Sequence, residues 1–303
     1  MENNTPQLAN GLWFDDNAVE AVQFYQTVFP DVQIGRVLRY GKEGFEIHKR
    51  PEGSIMSIDF TIWGTRFQAI NGGPVFQKNP SISYFVLCNT AAEAREFWNA
   101  LSEGGKILMP LDRYEWSESY GWLEDKFGLS WQIYTGQRSD PEQRISPALM
   151  FSGEQHGRAE EAMQFYTSLF DDGEIMGVMK FPAGGTEPEG TVMHAEFRIA
   201  GRILMAMDSS MEHGFGFNEG VSLIVICRTQ EAIDSFWNKL ADGGSEIECG
   251  WVKDRFGVAW QVVPEQLDKM LADPDKTKAE RVTKAFLKMK KLDIRQLEEA
   301  YKG

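Results

Sequence analysis

The sequence predicts an α+β protein of two tandem domains, each made of two βαβββ units curved into a sheet cup, followed by a helical tail. Three observations predict it. The chain repeats itself in order: AVEAVQFYQTVF from Ala18 returns as AEEAMQFYTSLF from Ala159, with seven of twelve positions identical. FWNAL at Phe97 returns as FWNKL at Phe236, and WLEDKFGLSWQI at Trp122 returns as WVKDRFGVAWQV at Trp251, so the repeat is a whole domain rather than a solenoid unit. Within each repeat, helical and two-residue periods alternate in the order strand, helix, three strands, twice over. After Pro264 the strand patterns stop and helical ones take their place.

In the first repeat, GLWFD is a short apolar strand, and Asp16 or Asn17 caps the helix after it. Ala18, Ala21, Val22, Tyr25, Val28 and Phe29 share one face of that helix. VQIGRVLRY and SIMSIDFTIWG alternate with period two, and a Gly-Thr turn leads into RFQAIN. ISYFVLC opens the second unit, whose helix starts near Thr90, uses Ala94, Phe97, Trp98 and Leu101, and ends at Gly104-Gly105. Short strands near Ile107, Trp122 and Trp131 complete it. The second repeat follows suit from Leu149 to Val263.

The polar, Pro-bearing stretch from Thr135 to Pro147 reads as a linker, giving domains at 8–136 and 148–264 around a linker at 137–147, with the tail at 265–303. In the tail, Leu267 to Ala272 is one helix and Lys276 to Lys291 a second, with Ala279, Val282, Phe286 and Met289 on one face. A last helix from Asp293 uses Ile294, Leu297 and Tyr301. These stripes are expected to dock on the body or on a second subunit.

The 303 residues carry a net charge of −14, with −16 on residues 1–263 and +2 on the tail. That balance argues against a nucleic-acid partner, which needs clustered Lys and Arg. No apolar run is long enough to span a bilayer and the first residues show no signal sequence, so a cytoplasmic address without a membrane partner is expected. Cys88 and Cys227 hold equivalent places and read as buried thiols; Cys249 has no cysteine counterpart and reads as an inert turn residue.

Strand alternation assigns the faces. Met193, Ala195, Phe197 and Ile199 oppose His194, Glu196 and Arg198; likewise Met56, Ile58, Phe60 and Ile62 oppose Ser57, Asp59, Thr61 and Trp63. The apolar faces belong under the helices and the mixed faces inside the cups, with Gln132 and Gln261 pointing inward from the closing strands. One cup is thus expected to be lined by Trp13, Ser57, Asp59, Asn71 and Gln132. The other is expected to hold His194, Glu196, Asp208, Trp251 and Gln261. His194 and Glu196, present only in the second repeat, are the candidate catalytic residues, either as a base or as a weak metal pair with Gln261. His48, His156 and His213 read as surface residues. The stretch Asp112, Glu115, Trp116 and Tyr120 reads as a hairpin near a cavity mouth or an exposed one. No GxSxG elbow, HExxH pair or glycine-rich dinucleotide turn is present.

WFDDNAVEAVQFYQTVF, AINGGP, CGWVKDRFGVAWQVVP, MHAEFRIAGRILMAMD and the tail KAFLKMKKLDIRQLEEAY together resemble PhnB-like proteins of the vicinal oxygen chelate (glyoxalase/bleomycin resistance) superfamily. More narrowly, they are similar to its demethylubiquinone methyltransferase-like group. The resemblance spans both repeats and the tail, and implies tandem glyoxalase-like domains. It also implies metal-ligand positions near Gly11, Ser81 and Gln132 in one repeat and near Leu149, Gly220 and Gln261 in the other, where only the glutamines can ligate.

These readings lead to a small-molecule-binding protein without the usual metal site, for which no cofactor is expected and whose partner is a small organic ligand. The alternative is an enzyme of the superfamily: a metal-dependent lyase or dioxygenase, or a methyltransferase as the group label has it. A divalent metal is the cofactor in the first case. The repeats form an intrachain pseudo-dimer, with further homo-oligomers left open. A third reading gives the ligand to the second domain and makes the first its structural partner.

Overall fold

The computed structural model describes residues 6–136, 140 and 142–303. Unit one comprises β1 (Gln7–Phe14), α1 (Ala18–Val28), β2 (Val32–Arg39), a single turn α2 (Phe45–His48), β3 (Ile55–Ile62) and β4 (Thr65–Asn71). Unit two comprises β5 (Ile82–Cys88), α3 (Ala91–Ser102), β6 (Lys106–Tyr114), β7 (Ser117–Glu124) and β8 (Ser130–Thr135). Unit three comprises β9 (Ile145–Ser152), α4 (Ala159–Leu169), β10 (Glu174–Lys180), β11 (Val192–Ile199) and β12 (Arg202–Ser209). Unit four comprises β13 (Val221–Cys227), α5 (Gln230–Ala241), β14 (Ser245–Glu246), β15 (Trp251–Lys253) and β16 (Ala259–Pro264). The tail folds as α6 (Leu267–Leu271), α7 (Lys276–Phe286) and α8 (Ile294–Lys302). Part of the expected linker, at 137–139 and 141, lies outside the described residues; Ile145 to Pro147 already belong to β9. The second tail helix also ends earlier than its apolar stripe suggests.

The four units build two eight-stranded sheets, and their pairing crosses the repeats. One sheet runs β14-β15-β16-β13-β1-β4-β3-β2, joining unit four to unit one; the other runs β10-β11-β12-β9-β5-β8-β7-β6, joining unit three to unit two. The seams are antiparallel, from Gln7↔Ile226 to Leu12↔Val221 and from Ile82↔Leu149 to Val86↔Ile145. β5 and β9 are buried along their whole length, and β13 nearly so, as expected for strands covered on both faces at the centre of a sheet. Each cup therefore takes half its wall from each repeat. The residue groupings expected from a cup closed within one repeat are exchanged accordingly.

The repeats are tied internally through the layer between the sheets. Asp125 Oδ2 accepts from the Tyr25 hydroxyl at 3.0 Å and Trp131 Nε1 at 2.9 Å, while Oδ1 accepts from the Phe127 and Leu129 amides. Asp254 repeats the arrangement with Tyr166, Trp260, Phe256 and Val258. The repeated FY helix and DxFGxxWQ ending are thus two ends of one buried knot. Burial drives each carboxyl's pKa upward, against four donors that favour the charged form. A single apolar cluster runs through all four units, including Phe14, Tyr25, Trp131, Phe151, Tyr166 and Trp260.

Helix starts differ by type. Thr90 and Thr229 cap α3 and α5, accepting from Glu93 N and Ala232 N at 3.2 Å, a contribution of about 1 kcal/mol each. Asn17 does not cap α1 with its side chain. Asn71 does so from β4, its Oδ1 accepting from Ala18 N at 3.0 Å while its amide donates to Ile55 O. Asp208 does the same for α4, accepting from Gly157, Ala159 and Val192 amides.

Candidate functional site

The two cups differ in what fills them. The unit-one and unit-four sheet encloses a cavity of about 760 Å³, within the size range of small-molecule sites. Trp13, Ser57, Asp59, Trp251 and Gln261 all line it. The tail covers it with Leu271, Thr283, Phe286 and Leu287. Trp13 meets Trp251 edge to face at 6.0 Å and Phe76 at 5.1 Å, which fixes an aromatic wall. The Trp13 indole N–H donates to Gly73 O at 2.7 Å. At the rim Arg36 bridges the body to the tail, 2.7 Å from Asp268 and 3.7 Å from Asp59, while Gln68 donates to Asp59. Burial and the neighbouring Asp59 charge raise the Asp268 carboxyl above its ordinary range, partly offset by Arg36.

At the floor, Gln261 Nε2 donates to Ser222 Oγ at 3.0 Å, directly under Gly11. A methyl group on Gly11 would collide with Ser222 and sit 2.7 Å from Gln261 Nε2. Glycine is what lets both polar side chains meet beneath β1.

The other cup is packed with its own side chains. Phe85, Leu87, Tyr120, Ala148 and Met205 form a buried cluster with Met109, Tyr114, Trp122, Tyr134 and Met207 against it. Gln132 lies here, fully engaged: its amide donates to Ser83 Oγ at 2.7 Å and its carbonyl accepts from the Tyr120 hydroxyl at 2.6 Å. His194 and Glu196 stand on the same sheet, 3.8 Å apart, with the Phe85 ring 6.1 Å from the His194 ring. Neither lines the cavity.

Among the sequence-predicted residues, the structure therefore brings Trp13, Ser57, Asp59, Trp251 and Gln261 together. It places Gln132 with His194 and Glu196 instead, and uses Asn71 and Asp208 at helix starts. The histidines expected on the surface are half-buried. His48 packs on Tyr40 at 4.3 Å beside the cavity, and His213 bonds Ser209 at 2.9 Å. His156 lies 3.7 Å from Glu187. Cys88 and Cys227 are buried thiols, the latter pushed up to about 12 by burial. Trp116 is exposed on the β6–β7 hairpin while Tyr120 points into the packed cup. Sequence reading missed Cys249 as a cavity residue and the tail as its roof. The first was visible as the small counterpart of Tyr120.

The family whose sequence profile matches residues 6–134 and 143–263 is described as 3-demethylubiquinone-9 3-methyltransferase. The chain belongs to this family. Among solved structures, a PhnB protein from Bacillus cereus is 34% identical over 42% of this chain and 98% of its own, with a TM-score of 0.38. A mutant of glyoxalase I from Zea mays is 11% identical over 86% of this chain and 93% of its own, with a TM-score of 0.55. A Bacillus subtilis protein described as a dioxygenase is 11% identical over 98% and 96%, with a TM-score of 0.50. The last two share the fold, which is that of the vicinal oxygen chelate superfamily. No curated protein matches the chain.

That fold implies a divalent metal on the cup floor. The floor of the open cup offers Gly11, the Ser222 hydroxyl and the Gln261 amide, an uncharged set already bonded to itself. In the packed cup both ends of Gln132 are engaged. Divalent first-row ions want imidazole, thiolate or carboxylate donors, so neither floor fits one. Among the described residues no three His, Cys, Asp or Glu side chains converge as a metal site. Family-implied Gly11 and Gln261 do meet, but across the repeats and with Ser222 rather than Ser81 or Gly220. No helix among the described residues is long and apolar enough to cross a membrane.

Proposed function

We propose that this family member binds a small organic molecule in the cup shared by units one and four, while the packed cup serves as scaffold. The supporting observation is the asymmetry between the cups: one encloses about 760 Å³, and the other is occupied by aromatic and methionine side chains. Equivalent positions explain the difference. Tyr120, Tyr134 and Phe85 of the packed cup are replaced by Cys249, Val263 and Ile224 in the open one. The walls are mainly apolar, with charged groups among them such as Arg36, Asp59 and Asp268, and suit a planar, largely apolar ligand.

The neutral apolar dye Nile red, followed by fluorescence, tests this reading. One dye per chain is expected, and Ile224→Phe combined with Val263→Tyr should remove its binding by refilling the cup. A stoichiometry of two, or binding unchanged in that double variant, would place the ligand elsewhere. The methyltransferase in the family's description is tested by titrating S-adenosylmethionine into the same protein in a calorimeter. Binding is not expected, and stoichiometric uptake would overturn the assignment of the cup to a planar, largely apolar ligand.

A further inference from the structure

The packed cup shows in place what the open one lacks. The two floors are built alike: Gln132 donates to Ser83, and Gln261 donates to the equivalent Ser222. They differ at the other end of the amide. Gln132 Oε1 accepts from the Tyr120 hydroxyl, whose ring packs near Tyr114 at 5.6 Å, Trp116 at 6.0 Å and Phe85 at 6.4 Å. The residue equivalent to Tyr120, counted from Trp122 and Trp251, is Cys249. Cys249 also lines the cavity, but its sulfur turns to the Phe286 carbonyl at 3.9 Å. Among the described residues, no donor reaches Gln261 Oε1.

We infer that the open cup takes an aromatic alcohol, whose ring occupies the space that the Tyr120 side chain fills in the packed cup and whose hydroxyl donates to Gln261 Oε1. The inference rests on the binding reading above and gives it a chemical class. An amide carbonyl at the floor of an apolar cavity loses its water when a ligand enters, so a ligand without a donor leaves it unsatisfied. A site built to hydrogen-bond a hydroxyl discriminates strongly against the analogue lacking it. Trp13 and Trp251 line the same cavity as Cys249 and Gln261 and give it an aromatic wall.

The probes are 1-naphthol and 1-methoxynaphthalene, which share a ring system and differ in the donor, each measured by displacement of bound Nile red. The naphthol is expected to bind at least about tenfold more tightly. Gln261→Leu should bring the two affinities within about twofold of each other, chiefly by weakening the naphthol. Equal affinities in the unmodified protein, or a preference that survives in Gln261→Leu, overturns the inference. Should that variant not fold, 1-naphthylamine against its N,N-dimethyl derivative repeats the donor contrast in the unmodified protein, and equal affinities there overturn the inference too. Failure of Nile red to bind at all sinks the parent reading instead, so the two failures are distinguishable.

Discussion

Removing one hydroxyl from each buried knot gives a measurable test of how the repeats are held. Tyr25→Phe deletes only the donor to Asp125 Oδ2, and Tyr166→Phe only the donor to Asp254 Oδ2. Both tyrosines are fully buried, so water cannot replace the lost bond. Removing one partner of a buried hydrogen bond costs about 1–3 kcal/mol, and the three donors left on each carboxyl group keep the loss near 2 kcal/mol. Urea titration followed by tryptophan fluorescence should show the midpoint falling with the slope unchanged, and Tm falling by about 4 °C. Because one apolar cluster joins all four units, both variants should move the same single transition by similar amounts. The double variant should lose about 4 kcal/mol, since the knots share no partner. A loss under about 0.5 kcal/mol, or a separate transition for each repeat, would refute the knot as the link within a repeat.

Three further outcomes follow from the same contacts. Gly11→Ala should cost about 2 kcal/mol in urea titration and weaken Nile red binding, because its methyl group displaces Gln261 from Ser222. Lys78 donates to Trp13 O at 2.6 Å and lies over the Phe14 ring, where burial lowers its pKa to about 8. Its folded pKa lies below its unfolded one, so the native state binds fewer protons between about pH 8 and 10.5. Stability should therefore rise with pH across that window, by up to about 3 kcal/mol, and Lys78→Met should flatten the rise in urea midpoints. Cys249, pushed up to about 11 by burial and by Glu248, should react with a disulfide reagent at pH 8 about a hundredfold more slowly than a free thiol. Fast single-thiol labelling of the native protein would contradict that.

Much of this was legible in the sequence because period and repetition report on faces. The two-residue alternation put Ser57, Asp59, Gln132 and Gln261 on inner surfaces, and the FY and DxFGxxWQ repeats marked the knots. Strand partners were not legible. ISYFVLC and VSLIVIC are equally apolar on both faces, so neither pattern says whether β1 or β9 lies beside it. That choice exchanged the glutamines between cups. Nor does periodicity say which cup is full: it assigns direction, whereas a void depends on size differences at single positions such as Tyr120 and Cys249. His194 and Glu196 were conspicuous as chemistry, but Tyr134, Met205 and Met207 crowd their cup.

The crossed pairing also sets an order in time. Strands β5 to β12 are contiguous in the chain, so the packed cup can close as soon as Ser209 is made. The open cup cannot: β1 to β4 must wait for β13, about 150 residues after Asn71, and then for the tail. At usual synthesis speeds that is roughly 10 to 30 s during which β1 presents a bare strand edge to other chains. That bare edge of β1 is then the template on which the late strands arrive, β13 pairing directly with it. The binding half of the molecule is therefore completed after the packed half, once β13 and the tail that roofs it have followed.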